Sequence, residues 1–219
     1  KHRLPRLLTC AALLTTTALA VAAEGRRPVV FVTLPPQAWL VRRLAGDALE
    51  VESLLTPGAN PHTFEPGARQ IKRLAEASLY LTAGFTFEET LTSRAARLNP
   101  NLTIVPLDAG ITKLGAHAHA HAPGQFCSGH GGDPHIWLSP ALFSAMASNA
   151  APALARLLPE RHDALQQALR ATVEEIAATD RAVRAKLDGL TVRTWVVYHP
   201  SWSYFAADYG LSLLVIEKD

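Results

Sequence analysis

Short apolar runs alternate with segments of helical periodicity along residues 27–106. Runs rich in Val, Leu and Phe predict buried strands, and apolar positions spaced three and four apart predict helices. The predicted strands are residues 28–34, 49–55, 78–82 and 102–106, and the predicted helices are residues 37–45, 66–77 and 87–98. Strands that alternate with helices at short intervals are typical of a parallel sheet covered on both faces. The pattern therefore predicts an α/β fold.

Two helices follow in the second half of the chain. Ser139-Pro140 is a favourable start, an N-cap followed by proline at the first helical position, and predicts a helix over 139–158 with a kink or break at Pro152. Residues 159–188 predict one helix of roughly 45 Å. Its apolar positions are Leu165, Leu169, Val173, Ile176, Val183 and Leu187. A helix that long, apolar on one face, spans two lobes as a spine or pairs in a coiled coil, and the incomplete heptads favour the spine.

The last segment predicts a strand at 192–198, a helix at 202–209 and a strand at 211–216. Two short strands and one helix do not bury a core of their own. We therefore expect two lobes of parallel-sheet α/β type joined by the long helix. We also expect the second lobe to be truncated here, the sequence being a fragment of a longer chain.

The first 23 residues resemble a targeting segment. Lys1, Arg3 and Arg6 precede an apolar run over residues 7–21, which ends in small residues. This order is that of a cleavable secretory signal peptide, and the run is shorter than the ~20 apolar residues of a membrane span. The sequence therefore predicts export to the periplasm, and no other stretch is apolar enough to predict a membrane span.

The net charge indicates which classes of partner the protein is not expected to bind, and the cysteine content gives little further information. The chain has 21 Lys and Arg against 19 Asp and Glu, and the predicted signal peptide contains three bases and no acids, so the remainder has 18 against 19, or −1. A nearly neutral protein has no electrostatic reason to bind nucleic acid or an anionic membrane. Beyond the signal peptide, Cys127 stands alone, as a free thiol or as a cysteine lacking its partner.

Three of the nine histidines share one context. His62, His135 and His199 each neighbour a proline and each lie at a junction that leads into a helix. Ligands of open α/β sheets bind at such junctions, at the carboxyl ends of strands, and imidazole suits Zn²⁺, Cu²⁺ and Fe²⁺. A histidine in a loop is more often a surface residue, and separations of 73 and 64 residues match no local zinc motif. The residues alone leave both interpretations open.

A second group of histidines lies in a Gly- and Ala-rich segment, residues 115–132, which predicts a mobile loop. His117, His119 and His121 alternate with Ala, and His130 follows. A His-rich tract in an exported protein indicates weak, accessory metal binding, although an accidental low-complexity loop has the same composition. The chain contains no H-E-x-x-H, G-x-S-x-G or phosphate-loop motif, so we expect no enzymatic activity.

Three motifs resemble those of one family, the ZnuA/TroA-type periplasmic metal-binding proteins of ABC transporters. They are GANPHTFEP at residues 58–66, DPHIWLSP at 133–140 and YHPSWSYF at 198–205, with the His-rich segment directly before the second. The resemblance covers nearly all of the chain after the signal peptide. It implies that His62, His135 and His199 hold one divalent ion in a cleft between lobes. It also implies a monomer that delivers zinc to an ABC permease and its ATPase.

Several points stay open. Three histidines and a His-rich loop favour zinc, while manganese, iron or a metal-dependent adhesin of the same family are alternatives, and a zinc hydrolase is a remote one. The resemblance implies a fourth ligand, water or a carboxylate, from the second lobe. Glu65 is a weaker candidate because it more plausibly opens a helix. We expect Trp137, Trp202 and Tyr204 to pack around the cleft.

The expected organisation of the chain follows from these observations. It comprises a signal peptide at 1–23, an N-terminal α/β metal-binding lobe at 24–157 that contains the loop 115–132, a linking helix at 158–189 and the start of a C-terminal α/β lobe at 190–219.

Overall fold

The computed structural model describes residues 27–115 and 132–216. The first part contains β1 (Val29–Val32), α1 (Pro35–Ala45), β2 (Glu50–Ser53), α2 (Ala68–Ala75), β3 (Leu79–Thr82), α3 (Phe87–Leu98) and β4 (Thr103–Pro106). After residue 132 follow α4 (Pro140–Leu157), α5 (His162–Leu187), β5 (Thr194–Val197), α6 (Ser203–Tyr209) and β6 (Ser212–Val215). The predicted signal peptide, Cys127 and the four histidines of the 115–132 loop lie outside the described residues.

The first four strands form one parallel sheet in the order β2-β1-β3-β4. All four residues of β1 are buried because both faces of the sheet are covered. Since side chains alternate along a strand, Val30 and Val32 face α1, α4 and α5, whereas Val29 and Phe31 face α2 and α3. The predicted α/β class, with a parallel sheet between helical layers, is confirmed.

The helix that precedes the spine starts as predicted. The Ser139 side chain accepts a hydrogen bond from the Leu142 amide at 3.3 Å, and Pro140 occupies the first helical position. Pro152 does not end this helix, which continues to Leu157, so the predicted break is absent. The next helix begins later than predicted, because residues Pro159–Arg161 form a 3₁₀ turn before α5 starts at His162.

Helix α5 contacts both the four-stranded sheet and the segment of β5, α6 and β6. Leu165, Leu169 and Ile176 pack against the core of the first sheet. Val183 and Leu187 pack against Tyr209 and its apolar neighbours in residues 195–213. There β5 and β6 form a two-stranded parallel sheet beside α6. One continuous helix thus contributes to both apolar clusters, which is the spine that the periodicity predicts.

Candidate metal centre

Three loops bring His62, His135 and His199 together. His62 lies between β2 and α2, His135 directly precedes the 3₁₀ turn that leads to α4, and His199 follows β5. Each offers one ring nitrogen, and these nitrogens lie within 4.8 Å of one another. The ring centroids are 5.4 Å apart for His62 and His135, 5.0 Å for His62 and His199, and 5.5 Å for His135 and His199. A tetrahedral zinc ion bound at ~2.0–2.1 Å needs nitrogens roughly 3.3 Å apart, a spacing within the 4.8 Å limit that these nitrogens meet.

The three histidines differ in exposure. His62 is exposed, His199 is partly buried, and His135 is 6 % exposed. The backbone of the His62 loop is fixed locally, since the Asn60 side-chain oxygen accepts a hydrogen bond from the His62 amide at 2.8 Å. The cluster therefore combines a histidine anchored in the interior with one that is accessible to solvent.

Asp133 holds His135 in one orientation. A single oxygen, Asp133 Oδ1, accepts hydrogen bonds from the His135 amide at 2.9 Å and from His135 Nδ1 at 2.7 Å. Burial raises the pKa of Asp133, but hydrogen bonds and charge from His135 outweigh it, so the pKa lies below its ordinary value. An ionised carboxylate only accepts, so Nδ1 carries the proton and Nε2 is left for a metal. Asp133 belongs to the DPHIWLSP motif, but this role was not predicted from the sequence. Its place two residues before His135 could have indicated it.

Two aromatic side chains, Phe85 and Trp137, lie beside the histidines. Phe85 lies edge-on to His62 at 5.9 Å and to His135 at 6.5 Å, and Trp137 lies 5.2 Å from His135. The sequence predicted Trp137 here but missed Phe85, which no local motif marks. Trp202 packs against Trp195 and Phe205. Apolar rings exclude water and so strengthen the interaction of a bound cation with its ligands.

The loop that carries Phe85 is held by a buried carboxylate. Glu88, 4 % exposed, accepts hydrogen bonds from the amides of Ala83, Gly84 and Phe85 at 2.6–3.2 Å. It also bonds to the hydroxyl of Thr33, and Tyr80 donates to it at 3.2 Å. Burial raises the pKa of Glu88 despite these hydrogen bonds. These contacts fix the backbone that places Phe85 against the histidines.

Glu65 and Tyr204 were also expected near the metal site, Glu65 as a weaker ligand candidate and Tyr204 as a packing residue. Among the described residues, the only group of three or more metal-ligating side chains is His62, His135 and His199, and Glu65 is outside it. Tyr204, predicted to pack near the cleft, is buried and donates a hydrogen bond to the Asp133 carbonyl at 2.7 Å. The described residues thus supply three imidazoles and no carboxylate to the cluster.

Known structures share the fold of this chain. A crystal structure of ZnuA superposes with a TM-score of 0.79 and 32 % identity, covering 89 % of this chain and 72 % of that one. A ZnuA deletion mutant with zinc bound gives a TM-score of 0.78 and 33 % identity, covering 89 % of this chain and 71 % of that one.

Curated relatives include longer proteins. The zinc-binding lipoprotein AdcA of Streptococcus pneumoniae is 26 % identical over 215 residues, which is 94 % of this chain but 42 % of AdcA. The chain therefore spans less than half the length of that relative. The model of the family described as "Zinc-uptake complex component A periplasmic" matches residues 30–218. Because this match covers most of the chain, the protein belongs to the ZnuA family of periplasmic zinc-uptake components.

Proposed function

We propose that this chain is the substrate-binding subunit of a zinc ABC uptake system, which captures one Zn²⁺ on His62, His135 and His199. The convergence of three ring nitrogens within 4.8 Å, from three separate loops, carries the proposal. The bound ion is cargo, which the protein delivers to an ABC permease that its ATPase drives. Membership of a family described as a zinc-uptake component supports this role.

Zinc fits the donor set better than manganese. Imidazole nitrogens in a tetrahedral arrangement suit zinc, whereas manganese sites rely on oxygen ligands. Among the described residues the cluster contains no carboxylate, and Asp133, the acid behind it, is bonded to His135. The similarity to the zinc-binding lipoprotein AdcA and to the ZnuA mutant with zinc bound supports the same choice. A fourth ligand, water or a carboxylate of the second lobe, would complete the tetrahedron.

Among the described residues, no carboxylate joins the cluster as a candidate general base, which favours binding over hydrolysis. A zinc hydrolase needs a general base within hydrogen-bond reach of the metal-bound water. The Oδ1 atom of Asp133 already accepts two hydrogen bonds from His135 and so serves to orient a ligand. A carboxylate in this role raises the basicity of the imidazole and favours retention of the metal.

Location and accessory sites are part of the same proposal. The family is described as periplasmic, and export would depend on the signal peptide expected at residues 1–23. Within residues 27–115 and 132–216, no helix has the length and apolar character of a membrane span. His117, His119, His121 and His130 would bind zinc weakly as accessory sites.

Zinc titration against a chelator of known affinity tests the binding step. We expect one tight site per chain, and His135→Ala and His199→Ala should each lose it. His162→Ala is the matched control because His162 is an exposed histidine at the start of α5, outside the cluster. Tight binding that survives both cluster substitutions would refute the proposed ligands.

Transport needs a cellular assay. In the organism that encodes the protein, deletion of the gene should lower uptake of radioactive zinc at limiting zinc concentrations. The wild-type gene and the His162→Ala variant should restore uptake, and the His135→Ala variant should not. Equal restoration by all three genes would separate the protein from zinc delivery.

A further inference from the structure

The hydroxyl of Tyr204 joins three segments of the chain. It donates a hydrogen bond to the Asp133 carbonyl at 2.7 Å and accepts one from the Leu114 amide at 2.9 Å. The Asp133 amide in turn donates to the Leu114 carbonyl at 2.7 Å. Residues 114 and 133 are thus bonded to each other and to one phenol of helix α6. The Tyr204 side chain is 5 % exposed, so water competes little for these bonds.

The geometry around this junction leaves little room for adjustment. Gly132 has a φ of +73°, and a Cβ atom there would lie 2.6 Å from the Leu114 carbonyl oxygen. Burial raises the pKa of Tyr204 to about 12, so the phenol keeps the proton that it donates. The backbone of residues 132–133 is therefore held in one conformation, and the Tyr204 side chain of α6 contributes to holding it.

The two residues of the Tyr204–Asp133 contact are each close in the chain to a histidine of the cluster. On one side, Asp133 accepts two hydrogen bonds from His135 and sets its ring orientation. On the other side, His199 is followed by the 3₁₀ turn Pro200–Trp202, which runs into α6 and Tyr204. The Ser203 hydroxyl donates to the Pro200 carbonyl at 2.8 Å and stiffens that turn. The chain from His199 to Tyr204 is thus short, and a hydrogen bond stiffens it.

We propose that Tyr204 is a positioning residue for metal binding: its hydroxyl fixes the loop of His199 relative to the Asp133–His135 pair and so sets the spacing of two ligands. The inference rests on the proposed function, because it assumes that one ion bridges His135 and His199. Without the hydroxyl, the segment of His199 loses one of the contacts that fix it relative to the Asp133–His135 pair, so the spacing of the two histidines is less constrained. Loss of a group bonded directly to a ligand typically lowers metal affinity about 10–100-fold, and Tyr204 acts one step further out, so we expect the low end of this range.

Helix α6 offers a matched control. Tyr209 lies on the same helix, is 7 % exposed, and donates from its hydroxyl to Asp180 Oδ1 at 2.7 Å. Tyr204→Phe and Tyr209→Phe each remove one buried hydroxyl and keep the ring. A purely structural role therefore predicts similar losses of thermal stability and similar zinc affinities for the two variants.

The experiment measures zinc affinity by chelator competition and the melting temperature of the metal-free protein for the wild type, Tyr204→Phe and Tyr209→Phe. We expect Tyr204→Phe to bind zinc at least tenfold more weakly and Tyr209→Phe to bind within twofold of the wild type, although both lose stability. Affinity within twofold for Tyr204→Phe, or equal losses in both variants, would overturn the inference. His135→Ala, measured in parallel, separates the two proposals: if it retains tight binding, the proposed ligands themselves are wrong.

Discussion

Asp133 lies behind His135, and its replacement should weaken zinc binding without removing a ligand. Asp133→Ala deletes the acceptor of two hydrogen bonds, from the His135 amide at 2.9 Å and from Nδ1 at 2.7 Å. The His135 ring then loses both its preferred tautomer and its orientation. Loss of a group that orients a ligand typically costs 10–100-fold in affinity, or about 1.4–2.7 kcal/mol.

The asparagine variant refines this magnitude. Asp133→Asn keeps an oxygen that can accept both hydrogen bonds but removes the charge, and charge-assisted hydrogen bonds are about twice as strong as neutral ones. We therefore expect a loss near tenfold for Asp133→Asn and near a hundredfold for Asp133→Ala. Because the pKa of Asp133 is lowered, the stability that its charge contributes is present above about pH 3.9 and is lost as the pH falls through the folded-state pKa. An assay at pH 7.5 thus compares charged with neutral side chains.

The assay is competition with a fluorescent zinc chelator, and Asp180→Asn is the control. Asp180 also accepts hydrogen bonds, from Tyr209 at 2.7 Å and from Arg184 at 3.0 Å, and its pKa is also lowered, with the Tyr209 hydrogen bond as the main cause. It lies on α5, outside the histidine cluster. The reasoning is refuted if Asp133→Ala binds zinc like the wild type, or if Asp180→Asn weakens binding as strongly.

Three further predictions concern the loop, the backbone and a buried acid. Deleting residues 116–131 should remove the weak zinc sites in calorimetry and keep the tight one, whose loss would contradict the ligand assignment. Gly132→Ala, with its Cβ 2.6 Å from the Leu114 carbonyl oxygen, should lower the free energy of unfolding in urea by about 2–4 kcal/mol. Gly210→Ala, with only Arg193 within 4 Å, should cost about 1 kcal/mol, and equal costs would contradict the steric reason. Because the pKa of Glu88 is raised, its protonation favours folding, an advantage complete below about pH 4.5 and lost as the pH rises through the folded-state pKa. Urea unfolding should therefore show the wild type losing stability relative to Glu88→Gln over that rise, and a constant difference would contradict the raised pKa.

The sheet could be predicted from sequence because its strands are marked locally. Strand β1 is apolar throughout since both of its faces are covered, and α3 has the predicted bounds, Phe87–Leu98. Most other elements were predicted too wide, as for α2, which covers Ala68–Ala75 and not 66–77, whereas α1 starts at Pro35, before the predicted 37. Apolar periodicity extends into flanking turns that pack on the core, while backbone hydrogen bonds end earlier.

The histidine cluster could be anticipated, but its supporting contacts could not. Each histidine lies at a junction that leads into a helix, which is where ligands of α/β folds bind, although His62 and His199 follow strands of different sheets. The Tyr204 hydroxyl, by contrast, contacts residues 71 and 90 positions away, and Phe85 reaches His62 and His135 from a third loop. Such contacts depend on tertiary geometry and leave no local pattern. The accessory role of the His-rich loop, the fourth ligand and the lobe boundaries stay predictions.

Zinc-edge anomalous diffraction from crystals of the zinc-loaded protein tests the central claim most directly. The account predicts one strong anomalous peak ~2.0–2.1 Å from a ring nitrogen of each of His62, His135 and His199. At His135 that nitrogen should be Nε2, with Nδ1 still bonded to Asp133. A principal zinc peak elsewhere, or one that fewer than three of these histidines coordinate, would contradict it.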